Sequence, residues 1–419
     1  MAEIAMVQKR IISRRRSVIG ILSIIIATFV LFLGAYATDL TSTFVLTSQR
    51  AGVTIPAPDL VLPTAPTLYV LGAIAGLLGL WQLLRGFKRE TQIIVLEAAI
   101  AVVAFLVWAT EGRSLNLTGM LVSSLVRATP IGLAALSGLY SERSGVVNIG
   151  IEGMMLVGAF VSVVFASVTG SLFIGIIAGI LSGMLMGLLH AVLSIRYKVN
   201  QIISGTGIII LALGLTSYLQ RAVLNNYPEL NSPGPAIAAL PIPLLWKIPV
   251  LGPILFNQSP IIYTMILLVV LTQVIMYYTK WGLRVRSVGE HPRAADTLGI
   301  NVFKIRYTCV LISGAIAGLA GAYMSIGSAG RFNEGMTAGK GFLGLAAMIF
   351  GNWNSGGGFL GSLIFGFFDS WQEKLSLLQI GIPVDLLGMA PYIATMIVLS
   401  GFVGRSRMPA ADGTPYTKQ

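Results

Sequence analysis

The sequence has very few of the residues that build disulfides and metal sites. It contains one cysteine, Cys309, and two histidines, His190 and His291, among 419 residues. A single cysteine excludes an intramolecular disulfide and a cysteine-based metal site. Two histidines are too few for a histidine cluster, and Cys309 lies in an apolar run, where we expect a small buried side chain. No metal site is therefore expected in this chain.

Charged residues are also scarce. They make up 11% of the chain, whereas a soluble domain carries about 25%. Hydrophobic residues make up 55%, and the mean hydropathy is +0.83. This composition excludes an ordinary soluble enzyme and indicates an all-α polytopic membrane protein. The net charge of +12 does not indicate a nucleic-acid partner, because the basic residues lie in short loops between apolar runs, next to membrane lipid.

Apolar runs recur along most of the chain. We expect about 10–12 transmembrane helices, counting one half-helix. The run at 18–37 follows a basic cluster and resembles a signal sequence, but its length favours an uncleaved helix. The run at 341–351 is too short to cross a bilayer. The predicted segments are 18–37, 67–84, 91–109, 117–139, 154–168, 172–193, 200–219, 260–279, 307–328, 341–351, 356–371 and 386–403.

The basic residues predict the orientation of these segments. Twenty of the 28 lysines and arginines fall in segments on the same side as both termini, seven fall on the other side, and Arg127 lies within a span. Basic short loops stay in the cytoplasm. Both termini are therefore predicted to be cytoplasmic, in a multi-pass protein of the cell membrane (plasma or inner membrane).

Two stretches hint at an internal inverted repeat. Ser137-Gly138 precede NIGIEGMMLVGAF at 148–160, and Ser313-Gly314 precede TAGKGFLGLAAMIF at 337–350. The predicted topology places the two copies at opposite membrane faces. An inverted repeat places its substrate site between the copies near the midplane. Chance similarity in a glycine-rich apolar chain is the alternative.

Glycines recur at every fourth position in one predicted helix and at similar spacing in another. Small residues at this spacing let membrane helices pack closely. Such faces can pack within the chain or against a second membrane subunit. The glycines are Gly175, Gly179, Gly183 and Gly187, then Gly314, Gly318 and Gly321.

Residues 141–160 place charges and glycines between two apolar runs. A carboxylate at membrane depth needs a partner, water or an interface, and this applies to Glu152. One interpretation is a short cytoplasmic turn with Glu152 in the first turn of a helix, where the helix dipole favours it. The other is a half-helix lining a substrate path. The two are compatible.

The stretches SERSGVVNIGIEGMM at 141–155 and VGEHPRAADTLGI at 288–300 carry a family resemblance. The chain resembles the integral-membrane permease subunits of ABC importers, in the nucleoside and simple-sugar branch (the branched-chain amino acid/ribose type). The resemblance covers residues 117–403. It implies a translocation path for nucleosides or simple sugars delivered by an extracytoplasmic binding protein.

The same resemblance implies partners. They are an ABC ATPase subunit, a second permease subunit in a heterodimer, and an extracytoplasmic substrate-binding lipoprotein. Residues 356–361 fit G-x-G-x-x-G, but no βαβ unit surrounds them, and Gly339-Lys340-Gly341 lacks the rest of a P-loop. No ATP site is visible, so the chain is not expected to be an enzyme. ATP and magnesium would be bound by the partner ATPase.

The segment 288–300 is predicted to be a short helix in a basic loop. Proline suits its first turn and glycine the position just past its end. The resemblance implies that this helix docks in a groove of the ATPase and transmits its closure; a plain connector or a lipid-headgroup site are the alternatives. The predicted coupling residues are Gly289, Glu290, Pro292, Arg293, Ala294, Ala295, Asp296 and Gly299.

Polar residues at the ends of predicted helices are candidates for the substrate path. Amides and carboxylates suit the hydroxyls and base edges of a nucleoside, and an aromatic face suits stacking. Asn and Trp also simply mark membrane interfaces. The predicted substrate-binding residues are Asn148, Glu152, Asn200, Gln201, Lys340, Asn352 and Trp353.

The chain is therefore predicted to have three parts. Residues 1–116 form N-terminal transmembrane helices with an external loop, residues 117–403 form the permease core with a cytoplasmic coupling loop at 280–306, and residues 404–419 form a cytoplasmic tail. An ion-coupled secondary transporter is the alternative function. Such a carrier needs several intramembrane ionisable residues, and the candidates here are few. A membrane-bound enzyme is disfavoured by the lack of a His, Cys or carboxylate cluster.

Overall fold

The computed structural model describes residues 2–38, 40–50, 53–390, 392–393 and 407–418. Helices dominate this part of the chain. In order they are α1 Ala2–Tyr36, α2 Thr64–Leu84, α3 Glu90–Ala109, α4 Leu117–Arg143, α5 Ile151–Thr169, α6 Leu172–Ala191, α7 Gln201–Leu219, α8 Pro260–Tyr278, α9 Lys280–Glu290, α10 Pro292–Thr297, α11 Val302–Ala322, α12 Lys340–Phe350, α13 Ser355–Leu378 and α14 Val384–Gly388.

Short strands lie in the connections between helices. β1 pairs with β4 in antiparallel and with β5 in parallel orientation, β2 pairs with β3, and β6 pairs with β7. These small sheets satisfy backbone groups in the loops and leave the helical architecture unchanged. The strands are β1 Thr41–Val45, β2 Ser48–Arg50, β3 Val53–Ile55, β4 Leu60–Pro63, β5 Ser114–Asn116, β6 Leu240–Pro241 and β7 Asn257–Gln258.

Nine helices of the described chain are long and apolar enough to cross a membrane. Several continue past their regular turns, so that α6 extends to Arg196, α7 to Leu224 and α11 to Ala329. The prediction of an all-α polytopic membrane protein is confirmed. Helix α12 is short, as expected for 341–351. Most of the predicted segment 386–403 lies outside the described residues.

The two ends of the helix bundle differ in character. Residues 40–50, 53–63 and 225–259 lie at one end, which we call the long-loop end. Residues 280–301 lie at the other, which we call the basic end. Helix α4 runs from the long-loop end to the basic end, and α11 runs in the opposite direction, because Arg306 near the start of α11 lies beside Ser144 just after α4 (Arg306 Nε–Ser144 O 3.2 Å).

The packing of the core is symmetric between two sets of three helices. Helix α4 packs against α12 and α13, while α11 packs against α5 and α6. Ser137 of α4 and Ser313 of α11 hydrogen-bond through their hydroxyls at 2.9 Å. The predicted repeat aligns Ser137 with Ser313. Equivalent residues of the two copies therefore contact each other, as residues beside a twofold axis do. This is the packing that an inverted repeat predicts.

The glycine-rich faces of α6 and α11 pack against each other. A Cβ added at Gly183 would lie 2.4 Å from the carbonyl oxygen of Gly314, and one added at Gly318 would lie 2.2 Å from that of Gly179. Backbones approach this closely only where side chains are absent. The predicted packing role is confirmed, and this contact lies within the chain.

The N-terminal helices α1, α2 and α3 pack together beside the core. Buried residues Val30, Leu68 and Val107, one from each helix, share a cluster with Trp371 and Leu375 of α13. The cluster joins the N-terminal helices to the second set of core helices.

The orientation in the membrane is testable by cysteine labelling. Ser232 lies exposed at the long-loop end and Thr297 lies exposed at the basic end. The charge pattern predicts that Ser232→Cys reacts with an impermeant thiol reagent on intact cells, and that Thr297→Cys reacts only after permeabilisation. Native Cys309 is buried and gives little background. Labelling of Thr297→Cys on intact cells would refute the orientation.

Candidate functional site

A cavity of about 530 Å³ opens between α4, α11, α12 and α13 at the long-loop end. Its wall on α4 extends from Gly119 to Pro130, which is about 17 Å along a helix. The volume falls in the range of small-molecule sites. The lining residues are Ser48, Asn116, Gly119, Val122, Ser123, Val126, Arg127, Pro130, Tyr323, Met324, Ser328, Lys340 and Glu373.

Two ion pairs border this cavity. Arg127 Nη2 lies 2.8 Å from Glu373 Oε2, with both side chains about two-fifths exposed. Lys340 pairs with Asp369, and both of these side chains are more deeply buried. Charged groups on membrane helices are costly unless they pair or reach water, and here they do both. The lining carries Arg127, Lys340 and Glu373, and Asp369, which lies outside the lining, pairs with Lys340, so that the two pairs together have no net charge.

The two carboxylates share one face of α13. Asp369 and Glu373 are four residues apart, which places them one turn apart on a helix. The sequence could have indicated this pair of carboxylates, because two acidic residues at this spacing follow an apolar run. Glu373 was missed because the predicted segment ended at residue 371.

Glu152 binds the start of α12 rather than the cavity. Its Oε1 accepts a hydrogen bond from Gly339 N at 2.8 Å and its Oε2 accepts one from Gly341 N at 2.6 Å. At a helix N-terminus, a carboxylate accepts hydrogen bonds from the free backbone amides, and the positive end of the helix dipole stabilises its negative charge. Glu152 therefore positions the half-helix that carries Lys340.

Asn148, Asn200 and Gln201 support the loop before α5 and the start of α7. Asn148 is buried and donates from Nδ2 to Ser313 Oγ at 3.0 Å. Gln201 Oε1 accepts from Val147 N at 2.7 Å. Asn200 is the N-cap of α7, and its side chain accepts from two backbone amides. Each side chain has a local structural partner.

Asn352 and Trp353 form the connection between α12 and α13 at the basic end. Both have left-handed backbone conformations, with φ of 53° and 52°, which are unusual outside glycine. Trp353 Nε1 donates to Glu142 Oε2 at 2.6 Å, and Arg143 Nε donates to the Trp353 carbonyl at 2.8 Å. The end of α4 therefore holds this connection in place.

Of the seven predicted substrate-binding residues, the structure places Lys340 at the cavity. The other six lie outside its lining. A direct role in substrate binding stays a prediction for all seven. The structure adds Arg127, Asp369 and Glu373 to the candidate residues.

A helical corner covers the basic end. Helix α9 ends at Glu290, and α10 begins at Pro292 and ends at Thr297. Gly299 follows with φ of +80°. The predicted short helix with proline in its first turn and glycine past its end is present as α10, but Gly289 and Glu290, which the prediction placed in the same helix, lie at the end of α9. A Cβ at Gly289 would lie 2.2 Å from the Arg143 carbonyl oxygen, so this corner packs directly on the end of α4.

Helix α10 has one buried and one exposed face. Ala295 is 2% exposed and belongs to the main hydrophobic core. Arg293, Ala294 and Thr297 are exposed, and Leu298 just past the helix is 81% exposed. We call these four residues the α10 face. Leu298 was not among the predicted coupling residues. The feature that could have identified it is a single leucine within a polar, basic segment.

Comparisons with known proteins match this architecture. The family described as branched-chain amino acid transport system, permease component, matches residues 120–399. The chain belongs to this family. It is therefore a permease component of a transport system and a multi-pass protein of the cell membrane, in a family of transport components rather than enzymes.

The matches with individual relatives span nearly the whole length of each relative. The guanosine ABC transporter permease protein NupQ of Bacillus subtilis is 42% identical over 71% of this chain and 95% of its own. The nucleoside ABC transporter permease protein NupC of Lactococcus lactis is 40% identical over 71% and 96%. A putative glucose ABC transporter permease protein, TsgC13 of Haloferax volcanii, is 33% identical over 69% and 92%. No solved structure matches the chain.

Proposed function

We propose that this chain is the membrane permease subunit of an ATP-driven ABC importer for nucleosides. The observation that carries the proposal is the cavity with two cation–carboxylate pairs, Arg127–Glu373 and Lys340–Asp369, set among membrane helices. Neutral solutes rich in hydroxyls and base edges need both donors and acceptors, and the two ion pairs together supply both without a net charge. Relatives named for guanosine and nucleosides support this substrate class.

The proposal assigns a direction and partners. The long-loop end faces outward and receives substrate from an extracytoplasmic binding lipoprotein. A second permease subunit completes the translocation path as a heterodimer. An ABC ATPase binds the basic end, where ATP and magnesium are held by that partner, and no ATP chemistry is assigned to this chain.

The α10 face is the proposed ATPase contact. Its exposed residues Arg293, Ala294 and Thr297 lie on α10, and exposed Leu298 directly follows that helix, while Ala295 on the other face is buried in the core. Force applied to α10 therefore reaches α4 through Gly289 and α11 through the shared core. This is the arrangement that a coupling element requires.

Removal of the charges of the Lys340–Asp369 pair, first one and then both, tests the proposed substrate path. We expect Asp369→Asn to lower nucleoside uptake by about tenfold, because it leaves Lys340 without its partner at a partly buried site. The double variant Lys340→Met with Asp369→Asn removes the unpaired charge. If the pair contacts substrate, uptake stays low in the double variant while the assembled complex keeps its thermal stability.

The exposed pair Arg221–Glu334 provides the control. Glu334→Gln is expected to leave uptake unchanged, because exposed pairs contribute little. Recovery of full uptake in the double variant would show that the pair is structural and would remove the cavity from the proposed path. Guanosine and glucose offered as competing solutes distinguish a nucleoside importer from a sugar importer.

A further inference from the structure

The C-terminal tail, residues 407–418, lies across the basic end and contacts the proposed coupling helices. Ala411 N donates to Gly289 O at 2.8 Å. Ala410 N donates to Glu290 Oε2 at 3.2 Å. Both acceptors lie at the end of α9, immediately before the chain turns into α10. The tail therefore holds the corner between these helices.

The tail is also tied to the membrane core. Arg306 of α11 is 1% exposed, and its Nη1 donates to the Thr414 carbonyl at 3.0 Å. Arg407 N donates to Asn352 Oδ1 at 2.6 Å, in the connection between α12 and α13. One short segment thus bridges the coupling corner, α11 and the half-helix connection.

Two acidic side chains meet where the tail crosses the end of α4. Asp412 and Glu142 interact electrostatically, and the nearby Arg306 guanidinium favours the charged form of the Asp412 carboxyl. Burial raises the pKa of the Asp412 carboxyl to about 7. Without the tail, the buried Arg306 would lose its hydrogen bond to the Thr414 carbonyl and the nearby charge of Asp412.

An aromatic anchor closes the tail onto α10 itself. Tyr416 is 7% exposed, and its ring centroid lies 5.4 Å from that of Phe303 at the start of α11. Burial and the nearby Asp296 carboxylate of α10 raise the pKa of the Tyr416 hydroxyl. Tyr416 belongs to the same core cluster as Ala295. With six residues, α10 is too short to be stable by itself, so its position depends on such neighbours.

We propose that residues 407–418 form a strap that positions the α9–α10 corner, so that α10 moves with the membrane core as one body when the ATPase acts on it. The strap residues are positioning residues, because they act through α9, α10 and α11 and are assigned no contact with substrate or ATP. The proposal rests on the proposed function and specifies how coupling is maintained. A permease without the strap would bind the ATPase but transmit its motion poorly.

The test uses the complete transporter in proteoliposomes, with this chain, the second permease, the ATPase and the binding lipoprotein. Substrate uptake and ATP hydrolysis are measured together for Tyr416→Ala and for a chain that ends after residue 406. We expect the complex to assemble and to hydrolyse ATP, with uptake per ATP lowered about tenfold by loss of the buried anchor. Tyr416→Phe keeps the ring contact with Phe303 and is expected to retain most uptake.

Met408, which is 56% exposed, provides a control within the strap. Met408→Ala is expected to keep the uptake-to-hydrolysis ratio of the unmodified chain. An unchanged ratio in both Tyr416→Ala and the shortened chain would overturn the strap. So would an equal loss in Met408→Ala, which would indicate direct contact with a partner, or failure of Tyr416→Ala to assemble, which would indicate a purely structural role.

Measurements on the unmodified complex distinguish failure of the strap from failure of the proposed function. If the unmodified complex shows no ATP-driven uptake, the proposed function is refuted and the strap with it. If the unmodified complex transports and the strap variants transport equally well for each ATP hydrolysed, the strap alone is refuted.

Discussion

Replacing Leu298 with aspartate is expected to release the ATPase from the complex and to abolish ATP-driven uptake. Leu298 is 81% exposed at the end of α10, on the proposed contact face. An apolar side chain presented in this way gains free energy when a partner buries it. Burying a carboxylate there instead costs free energy unless it is paired.

The expected loss is large because anchor residues dominate interfaces. Removing such an anchor costs at least about 2 kcal/mol, which corresponds to about 30-fold weaker binding. The measurement is co-purification of the ATPase with the permease, together with the dissociation constant of the two subunits. The isolated permease should keep its stability to within about 0.5 kcal/mol, because the changed residue is on its surface.

Leu298→Met provides the matched control, since it preserves an apolar side chain of similar volume. It is expected to bind the ATPase as the unmodified chain does. Undiminished co-purification of Leu298→Asp with the ATPase would show that the α10 face is not the contact.

The second large effect concerns the contact between α6 and α11. Gly183→Leu is expected to prevent accumulation of folded protein, because even a Cβ at this position would lie 2.4 Å from the Gly314 carbonyl oxygen. The two backbones would have to separate, and membrane helices packed through small residues lose their contacts when they do. The measurement is the amount of monodisperse protein recovered in detergent and its melting temperature.

Gly207→Leu on α7 is the matched control. A Cβ at Gly207 would meet nothing within 4 Å, so the same substitution adds a side chain to open space. Replacing a helical glycine also removes its entropic penalty, and we expect recovery equal to that of the unmodified chain. Equal recovery of both variants would contradict the close packing of α6 and α11.

Hydropathy predicted most of the helices because bilayer thickness fixes their length and composition. The predicted segment 260–279 corresponds to α8 at Pro260–Tyr278, and 172–193 contains the whole of α6 at Leu172–Ala191. The prediction for α13 ended too early. That helix continues to Leu378, because Glu373 is compensated by Arg127 from a distant part of the chain.

The sequence could not show which residues from distant parts of the chain contact each other. The position of Glu152 in a first helical turn was among the predicted interpretations, but its acceptors are used by the amides of Gly339 and Gly341. The tail was predicted as a separate cytoplasmic segment. Its docking uses mainly backbone groups, such as Ala411 N on Gly289 O, and backbone groups carry no sequence signal.

The central claim is that this chain forms the path of an ATP-driven nucleoside importer. The most direct test is uptake of labelled guanosine into proteoliposomes that contain this permease with its second permease, its ATPase and its binding lipoprotein. The account predicts uptake that requires ATP and the binding protein and persists when ion gradients are abolished. Uptake by this chain that is driven by an ion gradient and needs no ATP would contradict it.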